Sequence, residues 1–217
     1  MKTTTRMAAL AASGVLAVTG VAACSSSSSG GGSTSGSAKP AAQVNNLTGE
    51  HTQVTFDSGF VQALQSLKVT PAPLGSASIS KAGVATFPIT GGNVTYYKPG
   101  TRNPYVVGKI DHNGSGLSLT AGGKTVKLEN FVVNPGTSQL MGKVVAGGKT
   151  VGNDVYLFFL NGKTLQPLAT GPNNTAILQG TKVYLSPAAA STLNKFFGIS
   201  ALSGKTLVGV AKITINT

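Results

Sequence analysis

The 217-residue chain has one cysteine, no tryptophan, two histidines and only five acidic residues. A single thiol cannot form a disulfide within the chain, so whatever folds must be held by its apolar core. His51 and His112 stand far apart, and with no second thiol they leave no set with zinc-ligand spacing. Glu50, Asp57, Asp111, Glu129 and Asp154 are spread along the chain and offer no pair of carboxylates spaced for glycoside cleavage. There is no Gly-x-Ser-x-Gly elbow. Asp111 and His112 are adjacent, but on a strand neighbours point to opposite faces and would not form one acid–base unit. An envelope hydrolase would have to be built on that pair. Because nucleophile, base and orienting acid are not assembled, the expectation is a non-enzymatic protein.

Positive charge is plentiful, with 17 Lys and Arg. Lys2 and Arg6 are the only charges in the first 38 residues, so 15 basic residues face 5 acidic ones beyond Cys24. A basic exported domain is attracted to anionic lipid or cell-wall polymer. The simpler role of such lysines is solubility and the blunting of exposed strand edges. Nucleic acid is not expected as a partner, because the lysines are scattered singly and the chain carries an export signal.

That signal occupies residues 1–23. A basic start precedes the apolar stretch MAALAASGVLAVTGVAA, which is too short and too diluted by small residues for a membrane span. Val21-Ala22-Ala23-Cys24 resembles the bacterial lipobox. The resemblance implies that the Cys24 thiol receives diacylglycerol, that the chain is cut before it, and that the mature protein is a lipoprotein on the outer face of a cell membrane. Two acyl chains give stable anchoring where one gives marginal binding. Residues 24–42 then form a linker, SSSSSGGGSTSGSAKPAA after the cysteine, whose composition cannot bury apolar surface. Such a chain has an r.m.s. reach of about 25 Å. Residues 43–217 are expected to be one domain of ordinary size.

Strand patterns dominate that domain and predict a mainly β fold, an antiparallel β-sandwich or barrel with two short amphipathic helices. Apolar or alternating runs fall at Val84–Ile89, Tyr105–Ile110, Gly116–Ala121, Thr125–Val133, Gln139–Ala146, Asp154–Leu160 and Thr164–Thr170. Gly122-Gly123, Gly147-Gly148, Asn161-Gly162 and Asn113-Gly114 read as tight hairpin turns, which need a positive φ at a central position. One helix is predicted where Phe60, Val61, Leu64 and Leu67 share a face, with Asp57 or Ser58 as its cap. The second follows the cap residue Ser186 and Pro187, uses Ala189, Leu193, Phe196 and Phe197 as its apolar face, and ends at Gly198. Each helix lies between two strand-like runs, so strand–cap–helix–strand is used twice, through duplication or by chance.

Gly-Lys-Thr occurs at 123–125, 148–150, 162–164 and 204–206, but the upstream glycine of a phosphate-binding loop is missing each time. All four read as exits from turns into strands. Tyr96, Tyr97 and Tyr105 flank the basic loop Lys98-Pro99-Gly100-Thr101-Arg102-Asn103-Pro104. Tyrosines so placed can hold a haem, a glycan or a lipid head group, or simply pack at strand ends with their polar tips in water.

The runs Val84-Ala85-Thr86-Phe87-Pro88-Ile89-Thr90-Gly91-Gly92 and Gly108-Lys109-Ile110-Asp111-His112-Asn113-Gly114-Ser115-Gly116-Leu117-Ser118-Leu119 resemble secreted actinobacterial proteins of the HtaA-domain type. The stretch Leu185–Gly198 is similar to the C-terminal part of many related secreted proteins. The resemblance covers most of residues 50–217 and implies a β-rich surface domain. Some members of that family bind haem through a tyrosine near a histidine and pass it toward an importer. His112 falls where the family has its histidine. The family tyrosine, carried in the early helix, corresponds to Ala63, and the family tryptophan is absent. The leading expectation is therefore a tethered, non-enzymatic domain that binds a ligand or an envelope component. The alternative is a haem-binding surface protein in which His112 acts with Tyr96, Tyr97 or Tyr105.

Overall fold

The computed structural model describes residues 38–217; the expected export signal, the expected lipidation site Val21, Ala22, Ala23 and Cys24, and most of the expected linker lie outside the described residues. The chain forms β1 Pro40–Val44, β2 Glu50–Phe56, α1 Ser58–Ser66, β3 Thr70–Gly75, β4 Ser78–Ile79, β5 Val84–Pro88, β6 Gly91–Tyr97 and β7 Val106–Ala121. It continues through β8 Lys124–Asn134, β9 Gln139–Ala146, β10 Lys149–Asn161, β11 Ala169–Thr170, β12 Ala176–Leu185, α2 Pro187–Phe197 and β13 Leu207–Ile215.

The strands make one antiparallel sheet in the order β1-β6-β7-β8-β9-β10-β12-β13-β2-β5-β4, with β3 added to β7 and β11 to β12. The ends of that path do not pair, so the mainly β fold is not closed into a barrel. The sheet curls so that one face packs against itself. Phe87 of β5, Phe131 of β8 and Phe158 of β10 meet edge to face, with ring centroids 5.2 Å and 6.3 Å apart in sequence. One contiguous apolar core results, drawn from nearly every strand.

The sheet begins at Pro40, three residues before the expected domain boundary, because Pro40 and Ala42 pair with Tyr97 and Tyr96. Proline is tolerated there as the first residue of an edge strand, where its missing N–H is not required.

Both helices match their sequence signals. Asp57 Oδ1 accepts from the N–H groups of Gly59 and Phe60 at 2.9 and 3.2 Å and caps α1. Ser186 Oγ accepts from Ala189 N–H at 2.9 Å, Pro187 opens α2, and Gly198 closes it in the left-handed conformation. The two strand–helix–strand units differ in pairing, however: β13 returns beside β12, whereas β3 crosses to β7. Phe60 and Leu64 of α1 and Leu193 and Phe197 of α2 close one end of the curl around a wholly apolar cavity of about 30 Å³.

Two of the four expected hairpins are present, at Gly122-Gly123 and Gly147-Gly148, where all four glycines have positive φ. Asn113-Gly114 is instead a bulge inside the 16-residue β7. Between His112 and Gly116 that strand advances four residues while β8 advances two. Asn130 Oδ1 accepts from Gly114 N–H across the gap, at 2.9 Å. Asn161-Gly162 is also not a hairpin. Asn161 Oδ1 accepts from Lys163 N–H and caps a 3₁₀ turn over Gly162–Thr164. The run expected as a strand over Thr164–Thr170 is mostly irregular, and only Ala169–Thr170 pairs; Pro167 lacks the N–H a ladder needs.

Candidate functional site

Opposite the helical end, the inner face of the curl leaves a pocket of about 290 Å³. Its walls are mostly aliphatic. Val54 comes from β2, Val106 from β7, Val133 from β8, Leu140 from β9, Leu178 and Val183 from β12, and Ala211 and Ile213 from β13. Leu165, on the irregular segment after the 3₁₀ turn, completes one side. Polar groups are few: Thr52, Thr181, Ser138, Asn103, Asn161, Lys163 and the phenol of Tyr105. No Asp, Glu, His or Cys lines it. The lining residues Asn103, Phe159 and Lys163 are exposed and mark the mouth, between the loop 98–105, the turn 135–138 and the segment 159–165.

The sequence candidates are divided by this geometry. Tyr105 reaches the pocket. Its hydroxyl donates to the carbonyls of Gly162 and Leu165 at 3.3 and 3.4 Å, and so holds the irregular wall. Burial, with the neighbouring Tyr96 adding to it, pushes the phenol above its usual range. Tyr96 packs edge to face on Tyr105, with centroids 5.9 Å apart, and its hydroxyl accepts from Leu168 N–H at 3.4 Å. Tyr97 points to the opposite face of β6. Its hydroxyl accepts from Arg102 at 2.8 Å, and the guanidinium lies over its ring at 4.6 Å. Two tyrosines therefore act as wall and support, and the third fixes the basic loop.

His112 is neither at a turn nor open to a ligand. It is 1% exposed in the core. Nδ1 lies 3.2 Å from the Phe131 carbonyl and Nε2 lies 2.8 Å from Thr52 Oγ1. A carbonyl only accepts, so Nδ1 carries the proton and Nε2 accepts from the threonine hydroxyl. Burial lowers its pKa to about 4, against smaller opposing effects from the Phe131 carbonyl and Asp111. The imidazole is neutral, with both nitrogens occupied. Asp111 faces away and pairs with Lys109 at 3.0 Å, so the two neighbours do not form an acid–base unit. Among the described residues no group of three or more His, Cys, Asp or Glu could hold a metal ion.

The pocket residues come from seven strands and the loops between them, which is why no local motif marked them. No family model matches the sequence, and no curated protein matches it. Solved structures do match the fold. The C-terminal domain of HtaA from Corynebacterium glutamicum superposes with a TM-score of 0.53 at 16% identity, covering 80% of this chain and all of that one. The haem-binding protein HtaB from the same organism gives a TM-score of 0.48 at 10% identity, with 81% and 96% covered. The chain has an HtaA-like fold.

Proposed function

We propose that the protein is a non-enzymatic binding module that takes an apolar small molecule into the pocket opposite its helices, and that a diacylglyceryl group on Cys24 displays it on the outer face of a cell membrane. The pocket itself carries the reading. It is large, open at one end, aliphatic in its walls and supplied with a few polar groups near its mouth, the usual make-up of a ligand site. An acyl or isoprenoid chain suits those walls, which offer a guest dispersion contacts and little hydrogen bonding. Binding of cis-parinaric acid, a fatty acid that fluoresces in apolar surroundings, tests this. The full chain is expected to bind it at micromolar concentration, and Leu165→Trp, which fills the pocket from its irregular wall, to weaken binding at least tenfold without moving the melting temperature. Equal binding by both proteins would reject the site.

Haem is the second reading, favoured by the HtaA-like fold. Ligation in the manner implied by the sequence resemblance does not fit this chain. Ala63 stands at the tyrosine position on α1, the cavity between the helices is lined only by apolar residues, and His112 is sealed in the core with both nitrogens engaged. A haem in the large pocket would meet one phenol, Tyr105, and no imidazole. Titration with haemin separates the readings. A saturable Soret shift lost in Tyr105→Phe would favour haem, and an unshifted spectrum beside parinaric acid binding would leave the apolar ligand.

A further inference from the structure

We infer that the pocket opens toward the bilayer that anchors the chain, and that its occupant is an acyl chain of an anionic phospholipid entering from that bilayer. This rests on the binding and anchoring proposed above. The first observation is where the chain enters the fold. Pro40 pairs with Tyr97, and Tyr97 N–H donates to the Tyr105 carbonyl at 2.7 Å. The segment leading back toward Cys24 therefore joins the domain two strands from Tyr105, at the mouth end rather than the helical end. The second is the opening itself. The helical end is plugged by Phe60, Leu64, Leu193 and Phe197, so an acyl chain finds an entrance only at the other end.

The third observation is charge. The segments that form the mouth carry Lys98, Arg102 and Lys163, and Lys39 precedes β1; none of these segments contains Asp or Glu. Among the described residues none of these four cations is in an ion pair. Of the four, Lys163 lines the pocket, while Arg102 lies over Tyr97 and Lys39 and Lys98 stand on the adjoining segments. A phosphate held at the mouth would meet Lys163 within the positive field of the other three while its acyl chain occupied the aliphatic walls, an arrangement that favours an anionic over a zwitterionic lipid. Lysines also stand at the helical end, Lys68, Lys195 and Lys205 among them. Charge alone does not choose an end; the entry point of the chain and the open apolar mouth do.

The test uses the full lipidated chain in vesicles whose phospholipid carries a photoactivatable diazirine on one acyl chain. Cross-links are expected at pocket residues such as Leu140 and Leu165, at least fivefold more from phosphatidylglycerol than from phosphatidylcholine. Lys163→Glu combined with Arg102→Glu is expected to remove that preference. Lys195→Glu combined with Lys205→Glu, at the other end, is expected to leave it intact. Cross-links elsewhere, equal yields from both lipids, or an equal loss from both charge-reversed pairs would overturn the inference. If dispersed parinaric acid fills the pocket while vesicle lipid never reaches it, the binding proposal stands and the membrane-facing one falls. If neither enters, both fall.

Discussion

At the scale of single residues, His112 shows how a polar side chain that resembles a ligand becomes part of the core. Its folded-state pKa of about 4 lies below the ordinary value of 6.5. A lowered histidine pKa means that the unfolded chain binds the proton more tightly, so this stabilisation is complete above pH 6.5 and is lost as pH falls toward 4. The shift corresponds to about 3 kcal/mol. Urea unfolding at pH 7.5 and 4.5 should show a loss of that order, and His112→Gln, which keeps hydrogen-bonding groups without titrating, should flatten the dependence. An unchanged pH profile in the variant would show that other groups control it. The partner that buries His112 is Thr52, sixty residues earlier and six strands away along the sheet. Nothing local to Asp111-His112-Asn113-Gly114 announces that contact. Tyr105, by contrast, does line the pocket, because a tyrosine just before a strand is well placed to put its ring against the sheet and its hydroxyl at the edge.

Among the elements, legibility followed how local the determining interactions are. The caps of both helices and the two Gly-Gly hairpins depend on neighbours within four residues, and the sequence displays them plainly. Asn-Gly misled twice, since its tolerance of a positive φ serves a bulge in β7 as well as a hairpin, and Asn161 spends its side chain capping a 3₁₀ turn. The length of β7 was hidden because the polar run around Asn113 breaks its alternation. Ser186 is the element-scale position most open to test. It is fully buried; its Oγ accepts from Ala189 N–H and donates to the Tyr156 carbonyl at 2.7 Å, joining the start of α2 to β10. Ser186→Ala should cost about 2 kcal/mol by removing both the cap and the hydrogen bond to the half-buried Tyr156 carbonyl. Chemical denaturation gives the number, and a loss below 0.5 kcal/mol, on the order of an ordinary surface change, would mean that the cap contributes little.

For the molecule as a whole, the pairing of β2 with β13 joins residues 50–56 to residues 209–215. The nine-residue β13 also lies against β12, so it fills the slot between two strands that otherwise have bare edges. A chain ending at Thr206 should therefore lack cooperative unfolding and expose strand edges that aggregate; a sharp thermal transition in that truncation would contradict this. The same pairing sets an order on biosynthesis. A ribosome releases β2 early and β13 after all the other described strands, and until then the strands on either side of the gap cannot complete their ladder. Long-range pairings of this kind form slowly. For the export proposed above such a delay is an advantage, because a secretion channel takes an unfolded chain and the sheet closes only after β13 has crossed.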